Sequence, residues 1–486
     1  MIVNKNADPI QDFRVIKAGD YPLPSPAFYF NFILLFCQYF FYFLSYKPPR
    51  LRPVDPAGII CLMSGKFPEN FLWGASTSSH QVEGDNFFND WWEWEKNGHT
   101  EPSGRACDHY RRFREDFRAA KELGHNTHRL GIEWSRLEKD EGVWDRAGWD
   151  HYRSVIDELN KLGIEPVVTL NHFTVPLWFA RKGGWLNERS ARFFTRFAVK
   201  AIKELGDRTQ YWITINEPHV LAFLAYFHGQ WPPCRKSFDE ELIVLKNMLK
   251  GHVNAYGRMH EYANSATGIR TPKIGIAKAV TAFHPCSPYS VLDRLSACYR
   301  NRFHNHSFII SAIKGRILIP GLRRDKLPVK NAVDFIGLNY YFRQFIRHKK
   351  AFTKGPLGDV CSLEHHDTAG GITDMGWDIY PKGLYEVLTS FSRYRLPVII
   401  TENGLATNDD SLRRRYIKDH LFQLLRAINN GVPVIGYLHW SLLDNFEWAE
   451  GYTKRFGLIH VDYKTQKRTV RDSARYYASV IRGAKL

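Results

Sequence analysis

The feature that most constrains this chain is an alternation of short apolar, β-rich runs with longer amphipathic stretches, which begins near residue 66 and continues to the carboxyl end. This alternation is typical of parallel sheets whose strands are connected by helices. Strands are predicted at residues 71–75, 126–132, 166–171, 211–216, 273–282, 333–339, 397–401 and 433–439. Helices are predicted between them, for example at residues 107–123, 147–162, 188–205 and 412–429. Eight such units in about 420 residues predict a (β/α)8 TIM barrel, in one domain at 63–486.

The composition excludes several other classes of protein. With 44% hydrophobic and 24% charged residues, the chain is neither disordered nor collagen-like nor a coiled coil. The net charge of +17 suggests nucleic-acid binding, but the basic residues are scattered, with short runs only at 348–350 and 413–415. No zinc-finger, RNP or helix-turn-helix signature accompanies them, so we expect a solvated basic surface and no nucleic-acid partner.

The cysteines argue against two kinds of stabilising cross-link. There are seven, an odd number, and none occurs in a C-x-x-C pair. This pattern disfavours a disulfide scaffold and a structural zinc site, and it mildly favours a reducing compartment. Four histidines, His304, His306, His365 and His366, lack metal-ligand spacing and are predicted to lie on the surface.

Residues 1–62 match nothing in the body of the chain. Within them, 11 of the 19 residues at 28–46 are aromatic, and the run is about long enough to span a bilayer. No small-residue cleavage site follows it, which argues against a signal peptide. Two interpretations stay open: a membrane anchor, or an extension upstream of a start at Met63. The charges flanking the run predict a cytoplasmic body in the first case, and a cytoplasmic protein is our main expectation.

A barrel places its chemistry where the strands end at the carboxyl-terminal face. Polar or aromatic side chains occur at or near most of the predicted strand ends, and packing alone does not explain so many of them. They are Gln81, Arg129, Asn171, His172, Asn216, Glu217, Asn339, Tyr340, Tyr341, Glu402, Asn403 and Trp440.

Two of these residues are glutamates that directly follow apolar strands. Glu217 stands in T-I-N-E-P after the fourth strand, and Glu402 stands in T-E-N-G after the seventh. Either motif alone is weak evidence, because a glutamate before a turn is usually solvated. Together, on opposed strands of one barrel, they predict two carboxyls aimed at a single bond. Carboxyls about 5–5.5 Å apart suit a retaining glycosidase.

These residues and their neighbours resemble glycoside hydrolase family 1, the β-glucosidase and β-galactosidase family. The similar motifs span about residues 67–480 and occur in order. They are F-L-W-G-A-S at 71–76, W-S-R at 134–136, N-H-F at 171–173, T-I-N-E-P at 214–218, D-F-I-G-L-N-Y-Y at 334–341, T-E-N-G at 401–404 and W-S-L-L-D-N-F-E-W at 440–448.

The resemblance implies a retaining, exo-acting β-glycosidase in which Glu217 is the acid/base and Glu402 is the nucleophile. It implies that the sugar is bound by Gln81, His172, Asn216, Tyr341, Trp440, Glu447 and Trp448. It also implies that Arg129 and Tyr341 hold Glu402, and that Asn339 supports the acid/base. A small β-glycoside or oligosaccharide is the expected partner, and no metal or organic cofactor is implied. A structural ion pair between Arg129 and Glu133 is the alternative for that arginine.

One residue departs from the family pattern without affecting the expected reaction, and two retained glutamates exclude particular branches of the family. His80 stands where many members have an aromatic residue. Glu447 would repel a 6-phosphate, which excludes phosphoglycosidases, and Glu217 excludes thioglucosidases, which carry glutamine there. Transglycosylation by the same intermediate, and a silent carbohydrate-binding relative, are the remaining alternatives. The preferred sugar epimer (glucose, galactose, fucose or mannose) stays open.

Overall fold

A computed structural model describes residues 66–349, 358–483 and 486. The aromatic segment at 28–46 and the rest of residues 1–62, on which the anchor and extension interpretations depend, lie outside the described residues. None of the helices in the described part of the chain is both long enough and apolar enough to cross a membrane.

The eight predicted strands are all present and form a closed parallel barrel. Each strand pairs with the next along the chain, and the eighth pairs with the first, Leu72 opposite Gly436. The strands are β1 Leu72–Ser76, β2 Thr127–Gly131, β3 Glu165–Asn171, β4 Tyr211–Asn216, β5 Lys273–Pro285, β6 Phe335–Arg347, β7 Val398–Glu402 and β8 Val434–Trp440. The predicted (β/α)8 barrel is therefore confirmed.

Helices cover the outside of the barrel and connect its strands. The principal ones are His109–Glu122, Arg146–Lys161, Ser190–Leu205, Phe238–Ser265, Val291–Arg300, Ser307–Lys314, Pro381–Phe391, Asp410–Asn429 and Asp472–Ile481. Shorter helices are Ser79–Val82, Asp90–Lys96, Trp134–Leu137, Leu177–Arg181 and Pro218–Leu221. Two short antiparallel pairs, Glu138–Asp140 with Val143–Trp144 and Ile459–Val461 with Arg468–Val470, lie outside the barrel.

Local sequence signals determine where these helices begin and which face they bury. Arg146–Lys161 begins at Asp145, whose carboxylate accepts a hydrogen bond from the Gly148 N–H at 2.8 Å. It ends before Gly163, which has a φ of +66° that a side chain would disfavour. Ser190–Leu205 buries a stripe of aromatic and aliphatic residues three and four positions apart, because one face of the helix packs on the sheet.

The barrel interior and the helix layer form separate apolar cores. Inward-pointing residues fill the interior, including Val167 of β3, Ile213 of β4, Ile399 of β7 and Leu438 of β8. A larger core lies between the outer face of the strands and the helices. The interior is therefore filled by side chains and leaves no room for a ligand, as in other TIM barrels. A binding site must lie at the end of the barrel where the polar residues follow the strands.

Two strands run further than the sequence predicted. The predicted ends were residues 282 and 339, but β5 continues to Pro285 and β6 continues to Arg347. Beyond the barrel these two strands pair with each other, with Ala282 opposite Arg343 and Pro285 opposite Ile346. This pairing satisfies their backbone groups, so the strands can continue through polar and charged residues such as Arg343 and Gln344, which interrupt the apolar run after residue 342.

Two surface predictions were wrong in part. His306 is buried, and its ring accepts or donates a hydrogen bond with the Tyr394 hydroxyl at 3.0 Å, while His304 and His366 are half-buried. Arg413 is also buried, because its guanidinium donates to the carbonyl oxygens of Thr407 and Arg455. His306 and Arg413 each lie where a helical segment packs on its neighbours. The spacing of basic residues along the sequence does not reveal burial of this kind.

Candidate active site

The two glutamates follow directly from strand ends, as predicted. Glu402 is the last residue of β7, and Glu217 is the first residue after β4. Glu217 has a left-handed backbone, with φ +45°, and its N–H donates to the Ala277 carbonyl of β5 at 2.7 Å. Non-glycine residues in this conformation are concentrated at functional sites, where the surrounding structure holds them.

The loop after Glu402 needs a residue without a side chain. A Cβ on Gly404 would lie 1.8 Å from the carbonyl oxygen of Trp440, at the end of β8. The glycine of T-E-N-G therefore allows the chain leaving β7 to run against the last strand. This close approach places Glu402 beside the residues that follow β8.

A guanidinium and a phenol hold the Glu402 carboxylate. Arg129 is fully buried and donates to one carboxylate oxygen, and the Tyr341 hydroxyl donates to the other at 2.5 Å. Burial raises the pKa of Glu402, while the Arg129 charge and the Tyr341 hydrogen bond oppose that rise. Arg129 pairs with Glu402 and not with Glu133, which instead accepts from Thr174, so the structural alternative for Arg129 was wrong.

The Glu217 carboxyl lies in surroundings that favour the protonated form. It is 8% exposed, and its described hydrogen-bond partner is the side-chain amide of Asn339 at 2.7 Å. Burial, and next the negative charge of Glu402, raise the pKa of Glu217 to about 8. The surroundings of Glu217 therefore favour its acid form, whereas the cation and the phenol beside Glu402 favour its ionised form.

Asn216 connects the surroundings of the two carboxyls. Its side-chain oxygen accepts from Arg129 at 2.7 Å and from Asn339 at 3.2 Å. Asn339 in turn is fixed by the Thr401 hydroxyl, which donates to its side-chain oxygen at 2.6 Å. One hydrogen-bond network therefore positions both glutamates relative to each other.

The same asparagine determines the tautomer of His172. Since the Asn216 oxygen accepts two hydrogen bonds, its amide nitrogen donates to His172 Nε2 at 3.1 Å. The proton of His172 then resides on Nδ1, which is buried and has no partner among the described side chains. Burial and the Arg129 charge lower the pKa of His172 well below its usual range, so the ring is neutral. A buried N–H without a partner is costly, so the contact with Asn216 and the neighbouring rings must hold His172 in this orientation.

Aromatic rings form one wall of the site. The His172 ring lies nearly parallel to Trp440 and to Trp448, with centroids 5.9 and 6.0 Å away. Trp448 also packs against Trp91 and Phe173, with ring centroids 4.7 and 5.1 Å apart. Both indoles are more than nine-tenths buried, so they present a rigid apolar face.

Gln81 and Glu447 form the polar end of that wall. The Gln81 amide nitrogen donates to the Phe446 carbonyl at 2.9 Å and to Glu447 at 3.2 Å. Burial, and next the charges of Glu402 and Glu217, raise the pKa of Glu447 to about 8. Glu447 is half-buried, so its carboxyl remains accessible to a ligand. The structure thus brings together all eleven residues that the sequence analysis assigned to the site, since each of them contacts another member or is its neighbour in the chain.

Three further residues shape the site, and the sequence analysis assigned none of them to it. The His80 ring stacks on Trp448 with centroids 5.8 Å apart, as an aromatic residue at this position could do. In addition, its Nε2 lies 2.7 Å from the Glu95 carboxylate, which holds the ring in place. Lys278 of β5 is fully buried, and its charge opposes protonation of Glu217. Trp377 packs on Tyr341 with centroids 5.4 Å apart. The sequence offered a signal for two of the three residues, namely the departure from the family pattern at His80 and a lysine inside an apolar strand at Lys278.

Within the described part of the chain, one group of side chains could hold a metal ion, and it lies outside this network. It consists of Cys286, Cys361 and His366. The site around the glutamates therefore offers acid–base and nucleophilic groups, hydrogen-bond donors and aromatic faces.

Comparisons with known proteins agree with this geometry. Residues 63–486 match the family described as Glycosyl hydrolase family 1. Beta-glucosidase A of Thermotoga maritima is 35% identical over 452 residues, which are 86% of this chain and 98% of that protein. The solved beta-glycosidase from Pyrococcus horikoshii is 39% identical, with a TM-score of 0.79 over 86% of this chain and 95% of that one. The solved beta-glucosidase from Thermotoga maritima in complex with deoxynojirimycin is 33% identical, with a TM-score of 0.78 over 86% and 99%. The chain therefore belongs to glycosyl hydrolase family 1.

Proposed function

We propose that this protein is a retaining, exo-acting β-glycosidase that hydrolyses β-D-glucosides, with Glu402 as the nucleophile and Glu217 as the acid/base. The observation that carries the proposal is the unequal surroundings of the two carboxyls. Glu402 contacts a guanidinium and a phenol, which stabilise a negative charge, and Glu217 contacts an amide. Two carboxyls whose surroundings separate their pKa values suit one nucleophile and one proton donor.

In the first step Glu402 attacks the anomeric carbon while Glu217 protonates the departing glycosidic oxygen. The bond to the leaving group breaks as the bond from the carboxylate forms, and a glycosyl ester results. Arg129 and Tyr341 keep Glu402 ionised and aligned for this attack. The raised pKa of Glu217, about 8, supplies the proton at neutral pH.

In the second step Glu217 acts as a base. Once Glu402 is esterified it carries no charge, so the second-largest cause of the raised pKa of Glu217 disappears. The deprotonated Glu217 then activates a water molecule, which attacks the anomeric carbon and releases Glu402. Two inversions return the β configuration.

The remaining residues hold the sugar in this scheme. His172, Gln81, Asn216 and Glu447 provide hydrogen-bond partners for hydroxyl groups, and the faces of Trp440 and Trp448 pack on the ring. This set serves gluco, galacto and fuco epimers alike. Relatives named Beta-glucosidase A and Beta-galactosidase both match this chain, which supports glucosides as the principal substrates and galactosides as secondary ones.

We also propose that residues 63–486 are the catalytic domain and act in the cytoplasm. The family match starts at residue 63, which supports this division. A membrane anchor at 28–46 is the alternative, and its test is whether the expressed full chain sediments with membranes.

The direct test of the reaction uses the purified chain and a panel of aryl β-glycosides. We expect the highest kcat/KM with the β-glucoside, and NMR should show the β anomer as the first product, before mutarotation. An α anomer as the first product would contradict the retaining mechanism, and binding of glycosides without turnover would identify a silent relative. Adding methanol separates hydrolysis from transfer, because a transferase would give mainly methyl β-glucoside.

A further inference from the structure

Two cysteines and a histidine converge above the carboxyl ends of β5 and β6. Cys286 directly follows β5, and Cys361 and His366 belong to the segment that follows residues Asp359–Val360. The two Sγ atoms are 2.9 Å apart, and they and a ring nitrogen of His366 all lie within 4.8 Å of one another. All three donors could therefore contact one small ion at the same time.

The histidine is held in place and has unused hydrogen-bonding capacity. Its ring stacks on Phe345 of β6, with centroids 3.6 Å apart and planes 4° from parallel. Its Nε2 is buried and has no hydrogen-bond partner among the described residues. A buried nitrogen of this kind is costly unless a ligand satisfies it. A disulfide between the cysteines would explain the close sulfurs, but not the histidine beside them.

We propose that Cys286, Cys361 and His366 form a binding site for a thiophilic divalent cation, Zn²⁺ above all. Two thiolates and a neutral imidazole compensate the charge of Zn²⁺, and three protein ligands leave the fourth tetrahedral position for water. The Arg347 guanidinium donates to Cys361 Sγ at 3.2 Å. Donors of this type to a ligating thiolate support a metal site from outside its first coordination sphere.

Sequence spacing alone could not indicate this site. The cysteines are 75 residues apart and come from different loops. The extension of β5 and β6 beyond the barrel brings them together, and that extension was itself missed. The expectation of no structural zinc depended on the absence of a C-x-x-C pair, which such a site does not need.

A bound ion would connect the end of β5 to the segment that leads toward the active site. The Asp367 carbonyl, next to His366, accepts from Arg343 at 2.8 Å, and Arg343 also pairs with Asp378 at 2.6 Å. Trp377, beside Asp378, packs on Tyr341, the donor to Glu402. A bound ion would therefore hold in place a segment that packs beside the active site.

The test measures metal binding by the full chain after reduction and treatment with a chelator. Zn²⁺ titration against a chromophoric chelator should give one site per chain, Co²⁺ should give a thiolate-to-cobalt charge-transfer absorption, and Zn²⁺ should raise Tm. Cys286→Ser and His366→Ala should each weaken Zn²⁺ binding by more than the ~10–100-fold that loss of an outer partner costs. His365→Ala and Cys298→Ser are the controls, because both residues are exposed and neither belongs to the group, so they should leave affinity unchanged.

Three results would overturn the proposal. The first is no stoichiometric Zn²⁺ or Co²⁺ binding by the reduced wild-type chain. The second is affinity that His366→Ala leaves unchanged. The third is a Cys286–Cys361 disulfide in the isolated protein that persists in mild reductant and excludes metal. Thiol counting before and after reduction detects that third outcome even where a variant folds poorly.

Discussion

Replacing Tyr341 with phenylalanine removes one hydrogen bond to Glu402, the proposed nucleophile, and little else. The hydroxyl donates to Glu402 at 2.5 Å, and it is one of the contacts that oppose the raised pKa of that carboxyl. The ring of Tyr341 also packs on Trp377, and phenylalanine retains that packing. The effect of Tyr341→Phe should therefore appear in the ionisation of Glu402.

The size of the effect follows from the energy of a charge-assisted hydrogen bond. Such bonds contribute about 1.5–3 kcal/mol, and 1.36 kcal/mol corresponds to one pKa unit. Loss of the donor destabilises the carboxylate relative to the acid, so the pKa of Glu402 rises by about one to two units. Because the active enzyme needs Glu402 ionised, the acidic limb of kcat/KM should move to higher pH by that amount.

The assay is the pH dependence of kcat/KM for an aryl β-glucoside, compared with wild type. The alkaline limb should stay in place, because it reports loss of the proton from Glu217, whose pKa is raised to about 8. Tyr340→Phe is the matched control. Its hydroxyl donates to the Tyr380 carbonyl at 2.6 Å on the other side of the strand, so this variant should lower Tm without moving either limb.

Two outcomes would refute this reasoning. An acidic limb that stays in place would mean that the Tyr341 hydroxyl does not stabilise the ionised Glu402. Movement of the alkaline limb alone would mean that Tyr341 acts on the proton donor, and the roles of the two carboxyls would need to be exchanged.

Four further predictions follow from the same site. Glu402→Gly should be inactive, and with azide and an activated aryl β-glucoside it should give the α-azide; a β-azide would contradict its role as the nucleophile. Glu217→Ala should still form the glycosyl ester of Glu402 from dinitrophenyl glucoside, and azide should release it as the β-azide, whereas an α-azide would exchange the two assignments. Glu447→Ala should lower kcat/KM by about 10–10²-fold, since removing one partner of a buried hydrogen bond costs on the order of 1–3 kcal/mol; an unchanged value would place Glu447 outside the site. A chain that begins at Met63 should be soluble and fully active, and inactivity beside an active full chain would show that residues 1–62 belong to the fold.

The barrel and its polar residues were predictable because each depends on local sequence. Apolar runs such as 397–401 mark strands, and a glutamate such as Glu402 directly after one stands out against its neighbours. Parallel strands all end at one face, so residues distant in the chain converge there without any knowledge of their contacts. Glu217 and Glu402, 185 positions apart, are the clearest case.

The features that sequence missed depend on contacts between distant segments. The pairing of β5 and β6 beyond the barrel lets polar and charged residues such as Arg343 belong to a strand. The burial of His306 and Arg413 depends on hydrogen bonds between each side chain and groups of other segments. The proton position on His172 required knowing which groups its asparagine neighbour already contacts. None of these contacts leaves a pattern in residue spacing.

The pairing of β8 with β1 has a consequence for how this protein folds. Leu72 and Gly436, which are paired, are 364 positions apart, so the barrel closes only after almost the whole chain has been ordered. Contacts of such high sequence separation slow folding, and an open barrel leaves strand edges available for aggregation. Trp440, Glu447 and Trp448 all come at or after the closing strand. During refolding from denaturant, helical circular dichroism should therefore recover before glycosidase activity, and regain of activity should report the moment of closure.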